Sequence, residues 1–450
     1  MLGKLFLLSL VCFFSLNFLS TINAETNLIA DEIQSLKVTN KDPRMINFSV
    51  SLTEDHNYTS ARLFYFLPNP SLNKSATRGD LNGIQSKFNN FYVDFDTNKG
   101  ITGSRFIPTG VTFEYYWEFT DVNKNNYKTE MQQYLFLDGQ YEWKLLTADN
   151  IFFYYYGNYN KNIQNCFLES VSVVKDGSDL LAIKVSYPIN IIYYLSPSDS
   201  RYAKPTRSIV MDSMTVLGGV KYTSNVVHSY DQDCGVVKHE VTHILNEIAG
   251  HGTLLKLPFW VDEGFATYMM NKSDYYDNII EKMINKNTVI RLSSMQGKPG
   301  TPEKVNLYYA QSYATTKYMI EQYGLEKYRS FFKILKEDFV IDEALQTVYG
   351  HDQDSLYLEW RQHKGLPIIK LVKIEQSSIP IPVATITPLN FPSKTTVNQQ
   401  EVENNFSKQN NSNELAVSNF EIFINNYIFI IVGAILLLIM IKISIFLWKK

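Results

Sequence analysis

His239-Glu240-Val241-Thr242-His243 is an H-E-x-x-H pattern. On a helix the two histidines stand one turn apart on a shared face, so both imidazoles can reach one metal ion while Glu240 lies beside it. A catalytic zinc site needs three protein ligands and one open position for water. Two imidazoles supply two of them, and Glu263, 20 positions after His243, can supply a carboxylate from a neighbouring helix. Glu240 then has the chemistry of a general base.

Elements of the right kind surround these residues. Between Cys234 and Gly250, Val237, Val241, Ile244, Leu245 and Ile248 form one apolar stripe, with Gly250 and Gly252 placed for a C-terminal cap. A second helix opens after Pro258 and carries Glu263. Upstream, Ile163, Cys166, Phe167, Val171 and Val174 keep helical spacing, and Pro188 to Leu195 reads as a buried strand. Ser208 to Met211 and Asn225 to His228 supply further short strands, separated by Gly218-Gly219. Before residue 150 the pattern is β: Ile46, Phe48, Val50 and Leu52 alternate with polar neighbours, as do Val111, Phe113, Tyr115, Trp117 and Phe119. A strand through Tyr134 and Phe136 follows, with Trp143 and Leu145 close behind, and the repeated short strands predict an immunoglobulin-like sandwich.

A formal net charge of −3 with no long basic run gives no footprint for nucleic acid. Residues 1–24 read as a signal peptide, with Lys4 before an apolar run and Ala24 at the cleavage position. Tyr427 to Leu447 is apolar except for Lys442, and Trp448-Lys449-Lys450 follows it. This predicts a single-pass membrane anchor, a C-terminal transmembrane helix with the bulk of the chain extracellular at the cell membrane. After loss of Cys12, only Cys166 and Cys234 remain, and spacing alone leaves open whether they pair.

The motif, the segment Trp260-Val-Asp-Glu263-Gly264-Phe-Ala266 and the later Tyr309-Ala-Gln-Ser-Tyr313 resemble the gluzincin zinc metallopeptidases, in particular the peptidase-MA-like domain of membrane-anchored bacterial proteins. The resemblance covers about Tyr187 to Lys364. It implies an α+β peptidase fold whose edge strand lies above the active-site helix, a Zn2+ cofactor held by His239, His243 and Glu263, and Glu240 as the base. It also implies Tyr309 as the oxyanion donor, with Tyr308 and Tyr313 as neighbouring alternatives. Gluzincin aminopeptidases carry a G-x-M-E-N segment whose acid holds a free amino terminus; here Gly218 to Asn225 has Lys221 and no acid, which favours an endopeptidase acting on a protein or peptide substrate.

The expected organisation is therefore a signal peptide (1–24), a β-sandwich (25–150), a zinc metallopeptidase domain (151–365), a Ser/Thr/Asn/Pro-rich stalk (366–422), a transmembrane helix (423–448) and a cytoplasmic tail (449–450). Asp262 is a candidate partner for a ligating histidine, whereas His228 and His251 stand outside the site. The rival function is a catalytically inert surface protein for adhesion or scaffolding. A complete ligand set with an intact Glu240 argues against it.

Overall fold

The structure is a computed structural model that describes residues 27–28, 32–53, 58–70, 74–81, 85–87, 89–98, 106–205, 218–297, 299 and 301–371. The expected signal peptide, most of the stalk, the C-terminal apolar segment with its tail, and the strand at Ser208 to Met211 lie outside the described residues.

The strands form three sheets and are numbered in chain order. The first contains β1 (Asn27–Leu28), β4 (Tyr58–Asn69), β5 (Lys74–Leu81), β8 (Thr112–Asp121), β9 (Asn126–Lys128) and β10 (Gln132–Leu135), in the order β1-β9-β8-β4-β5 with β10 also on β8. The second is antiparallel and contains β2 (Ile33–Thr39), β3 (Met45–Leu52), β6 (Gln85–Lys87) and β7 (Asn90–Asp96), in the order β2-β3-β7-β6. The third contains β11 (Lys144–Ala148), β12 (Ile151–Tyr155), β13 (Ile189–Tyr193), β14 (Gly219–Thr223) and β15 (Val226–Ser229), in the order β11-β12-β13-β15-β14. Its three inner strands are parallel, and β11 and β14 run antiparallel on the two edges.

The remaining elements are helices: α1 (Lys161–Leu181), α2 (Cys234–Gly250), α3 (Phe259–Tyr268), α4 (Ser273–Asn285), α5 (Pro302–Tyr323), α6 (Leu325–Lys336), α7 (Ile341–Tyr349) and α8 (Gln353–His363). Among the described residues no helix is long and apolar enough to cross a membrane. Even the longer ones are interrupted by charge, as α1 is by Glu169, Lys175, Asp176 and Asp179. The expected fold class is corrected accordingly: the described chain has sheets in its N-terminal region and helices in its C-terminal half, with no transmembrane helix among them.

Period-two alternation fills both faces of the third sheet. Ile151, Phe153, Tyr155, Ile189, Ile191, Tyr193 and Val227 face a core shared with the helices. Tyr154, Ile192 and Val226 face a second core, joined by Tyr156 and Tyr194 and shared with Phe48, Phe95, Phe113, Trp117 and Phe119 of the first two sheets. The first two sheets therefore do not form a free-standing immunoglobulin-like sandwich; their core runs on into the third sheet. Trp143 and Leu145, read with the sandwich, flank and occupy β11, where Leu145 is registered with Tyr154.

Helix α2 is capped at Asp233, whose side chain accepts from the Gly235 N–H. Its N-terminal residue Cys234 forms a disulfide with Cys166 of α1, a pairing that spacing left open. Val237, Val241, Ile244 and Leu245 are fully buried. Gly250 is the last helical residue rather than the cap, and His251 takes the cap position with its N–H on the Glu247 carbonyl.

Candidate active site

The helical spacing does what it promises at His239 and His243. Their Nε2 atoms lie 3.1 Å apart, and Glu263 Oε2 of α3 stands 3.1 Å from His239 Nε2 and 3.6 Å from His243 Nε2. A tetrahedral metal with bonds of about 2.0–2.2 Å holds its ligand atoms roughly 3.4 Å from one another. The three observed separations bracket that value, and these are the ligand atoms that converge on a possible metal position. With two acceptor nitrogens and a carboxylate oxygen pointed at one another, the donor set fits zinc.

Glu263 reaches this point because α3 packs closely on α5 at Gly264. A Cβ there would meet Thr316 Oγ1 and lie 2.7 Å from the Ser312 carbonyl oxygen. Trp260, also on α3, is buried and donates through Nε1 to Gln353 Oε1 at 3.0 Å. The helix that carries the third ligand is thus pinned on two sides.

Asp262, the neighbour of Glu263, orients the second histidine. Its Oδ1 accepts from His243 Nδ1 at 2.8 Å, which turns Nε2 toward the cluster. Asn246 Nδ2 in turn donates to Asp262 Oδ1 at 2.8 Å and to the Asp262 carbonyl at 2.9 Å. Asn246 is buried one turn from His243 and locks α2 to α3. Sequence spacing offers no signal for Asn246 beyond its i+3 position on the same helix.

The electrostatics separate the carboxylates. Burial pushes Glu240 up, and the nearby His239 and His243 only partly offset this, so its carboxyl lies above the usual glutamate range. Burial acts the same way on Glu263, but His243 and the hydrogen bonds from both histidines outweigh it and hold the carboxylate ionised. His243 is raised well above the usual range because Asp262 and Glu263 overcome its burial. One glutamate is poised to exchange a proton and the other is held as an anion.

Tyr309 lies at this cluster. Its ring stacks on His239 with centroids 5.8 Å apart, and burial first, then the charges of Glu263 and Glu240 and a hydrogen bond to Glu263, raise its hydroxyl far above the ordinary tyrosine range. It therefore stays a donor at any physiological pH. Tyr308 instead packs at the edge of Phe259, with centroids 6.3 Å apart, and Tyr313 packs on Tyr276 at 5.8 Å.

The edge strand β14 lies over α2. A Cβ on Gly219 would stand 2.7 Å from Glu240 Cγ and 2.8 Å from the His228 carbonyl oxygen, so only glycine lets the strand approach the base this closely. The Lys221 N–H donates to the Glu240 carboxylate. Lys221 Nζ pairs with Glu247, one turn beyond His243, and Ser224 Oγ also donates to Glu247. The repulsion of a substrate ammonium expected from Lys221 is thus blunted by its partner, although β14 carries no acid. His228 is a core residue: Nε2 donates to the Thr109 carbonyl at 2.7 Å and Nδ1 accepts from the Tyr230 hydroxyl at 3.2 Å.

Residues 178–364 match the family model of the Peptidase MA superfamily. No curated protein matches the chain. Among solved structures it is similar to one described as an aminopeptidase N family protein from Idiomarina loihiensis, at 11% identity and a TM-score of 0.31, covering 73% of this chain and 57% of that one. The chain therefore spans just over half the length of that protein. Another is described as a family 76 glycoside hydrolase from a bovine Bacteroides thetaiotaomicron strain, at 12% identity and a TM-score of 0.16, covering 32% of this chain and 24% of that one. Neither likeness is close enough to define the fold.

Proposed function

We propose that this Peptidase MA superfamily domain is a zinc-dependent endopeptidase that hydrolyses peptide bonds in proteins or peptides. The observation that carries the reading is the convergence of His239, His243 and Glu263 at separations of 3.1, 3.1 and 3.6 Å with Glu240 on the same helix. His239, His243 and Glu263 would hold the metal. When bound, zinc supplies the Lewis acidity that makes water a nucleophile near neutral pH and polarises the scissile carbonyl.

The chain's own groups do the rest. Glu240, raised by burial, accepts the proton of the attacking water and delivers it to the leaving amine. Tyr309, held protonated, donates toward the oxygen that gains negative charge as the carbonyl is attacked. Asp262 holds His243 in the ligating tautomer, with Asn246 holding Asp262. The edge strand β14, without an acid to capture an amino terminus, favours cleavage within a chain. The Cys166–Cys234 disulfide supports an extracytoplasmic, oxidising location.

The test is metal analysis of the purified chain with digestion of casein or a peptide library, run beside Glu240→Gln. The reading expects about one zinc ion per chain in both proteins and cleavage by the wild type alone. Absence of zinc from the wild type, or equal cleavage by both, overturns it.

A further inference from the structure

A cavity of about 420 Å³ opens between the first sheet and the far end of β14, lined by Pro68, Phe106, Pro108, Val111, Thr112 and Tyr222 among others. We propose that it receives one apolar side chain, aromatic or branched aliphatic, of a peptide bound along β14, so that the N-terminal sheets select the substrate. This rests on the peptidase reading and adds to it a subsite away from the metal cluster.

The strand itself connects the cavity to the chemistry. β14 is the last strand in its sheet among the described residues, so its outer edge can pair with an extended peptide. Its side chains alternate: Gly219 and Lys221 face α2 at Glu240 and Glu247, while Val220 and Tyr222 pack on the side of the sandwich core. A peptide added to that edge alternates in the same way. Gly219 marks the catalytic end, and Tyr222 lies three residues on, about 10 Å along a strand. A substrate side chain at that distance from the reacting bond, on the sandwich side, meets the cavity.

The lining selects for apolar matter. Prolines and the faces of the Phe106–Tyr222 ring pair, 5.3 Å between centroids, supply rigid apolar surface, the Tyr222 hydroxyl being bonded to that of Tyr230, while Thr112, Gln133 and Asn225 line the polar remainder. The nearby acid is engaged, because Gln133 Nε2 donates to Glu114 Oε1 at 3.3 Å. The ladder between β14 and β15 shifts register between Lys221 and Thr223, which takes Tyr222 out of the regular pairing at the cavity mouth. A volume of 420 Å³ lies within the roughly 300–1,000 Å³ of ligand pockets and is ample for a large side chain.

The experiment moves a single phenylalanine through every position of a short alanine-based peptide. Binding is read by fluorescence polarisation on the full chain carrying Glu240→Gln, and cleavage by kcat/KM on the wild type. Phenylalanine at one position is expected to improve both by at least about tenfold. Thr112→Trp, which fills the cavity, should abolish that gain, and Phe106→Ala, which removes a wall, should reduce it. Both should leave the all-alanine peptide within about twofold, because neither residue touches the cluster around Glu240. No positional gain in binding, or a gain unchanged in both cavity variants, overturns the proposal. Peptides bound with the positional gain but never cleaved would sink the peptidase reading and leave the cavity standing; cleavage without any positional gain would do the reverse.

Discussion

At the scale of single residues, the site was legible wherever one helix carried the information. His239 and His243 needed only the helical repeat, and Glu263 needed a second helix within reach. What spacing could not resolve was direction. Tyr308, Tyr309 and Tyr313 share α5, and only the packing of α5 on α3 turns Tyr309 toward His239. Lys221 was legible as a cation but not as half of an ion pair, since Glu247 lies 26 residues away. Two variants probe these roles. Glu240→Gln should lower kcat by about 10²–10⁴-fold with metal content unchanged, measured by steady-state kinetics beside elemental analysis. Asp262→Asn should weaken zinc binding by about 10–100-fold, measured by competition with a chelator, because Asn cannot hold His243 as Asp does. An unchanged affinity in the second variant would remove Asp262 from the account.

Between elements, close approach and cross-links decide the geometry. Gly264→Ala sets a methyl against Thr316 and the Ser312 carbonyl, so α3 must move off α5 and carry Glu263 with it. The expected cost is about 1–3 kcal/mol in urea unfolding, accompanied by weaker zinc binding. A stability loss with metal affinity intact would show that α3 adjusts without moving its ligand. The disulfide ties α1 to the first residue of α2 across a separation of 68 residues. Replacing Cys166 and Cys234 together by serine should cost about 2–4 kcal/mol, read from denaturant midpoints under non-reducing conditions. Sequence reasoning raised the disulfide without deciding it and gave no sign of the Gly264 contact: a glycine in a helix and two cysteines far apart reveal their purpose only when a partner surface is placed against them.

Across the whole molecule, the strands were legible by period, but their assignment to sheets was not. The run through Leu145 alternates like its predecessors, and nothing local says that it pairs with Ile151–Tyr155 rather than with the sandwich. The seam between the cores also holds His228, whose burial lowers its pKa to about 4, with the Thr109 carbonyl only partly opposing this. A histidine depressed in the folded state stabilises above its unfolded pKa of about 6.5 and loses that contribution as the pH falls. Stability should therefore decline between about pH 6.5 and 4, by on the order of 3 kcal/mol from this group. Thermal melts across that range should show a shallower slope in His228→Gln; an unaltered slope would clear His228. The third sheet, covered on one face by helices and on the other by the sandwich core, has a consequence for how the molecule comes apart. Residues 178–364 begin inside α1 and omit β11 and β12, so the matched segment lacks two strands of its own sheet. Cut there, it would bare Ile192, Tyr194 and Val226 to water, and calorimetry of the intact chain should accordingly record one cooperative endotherm for the sheets and helices together rather than two.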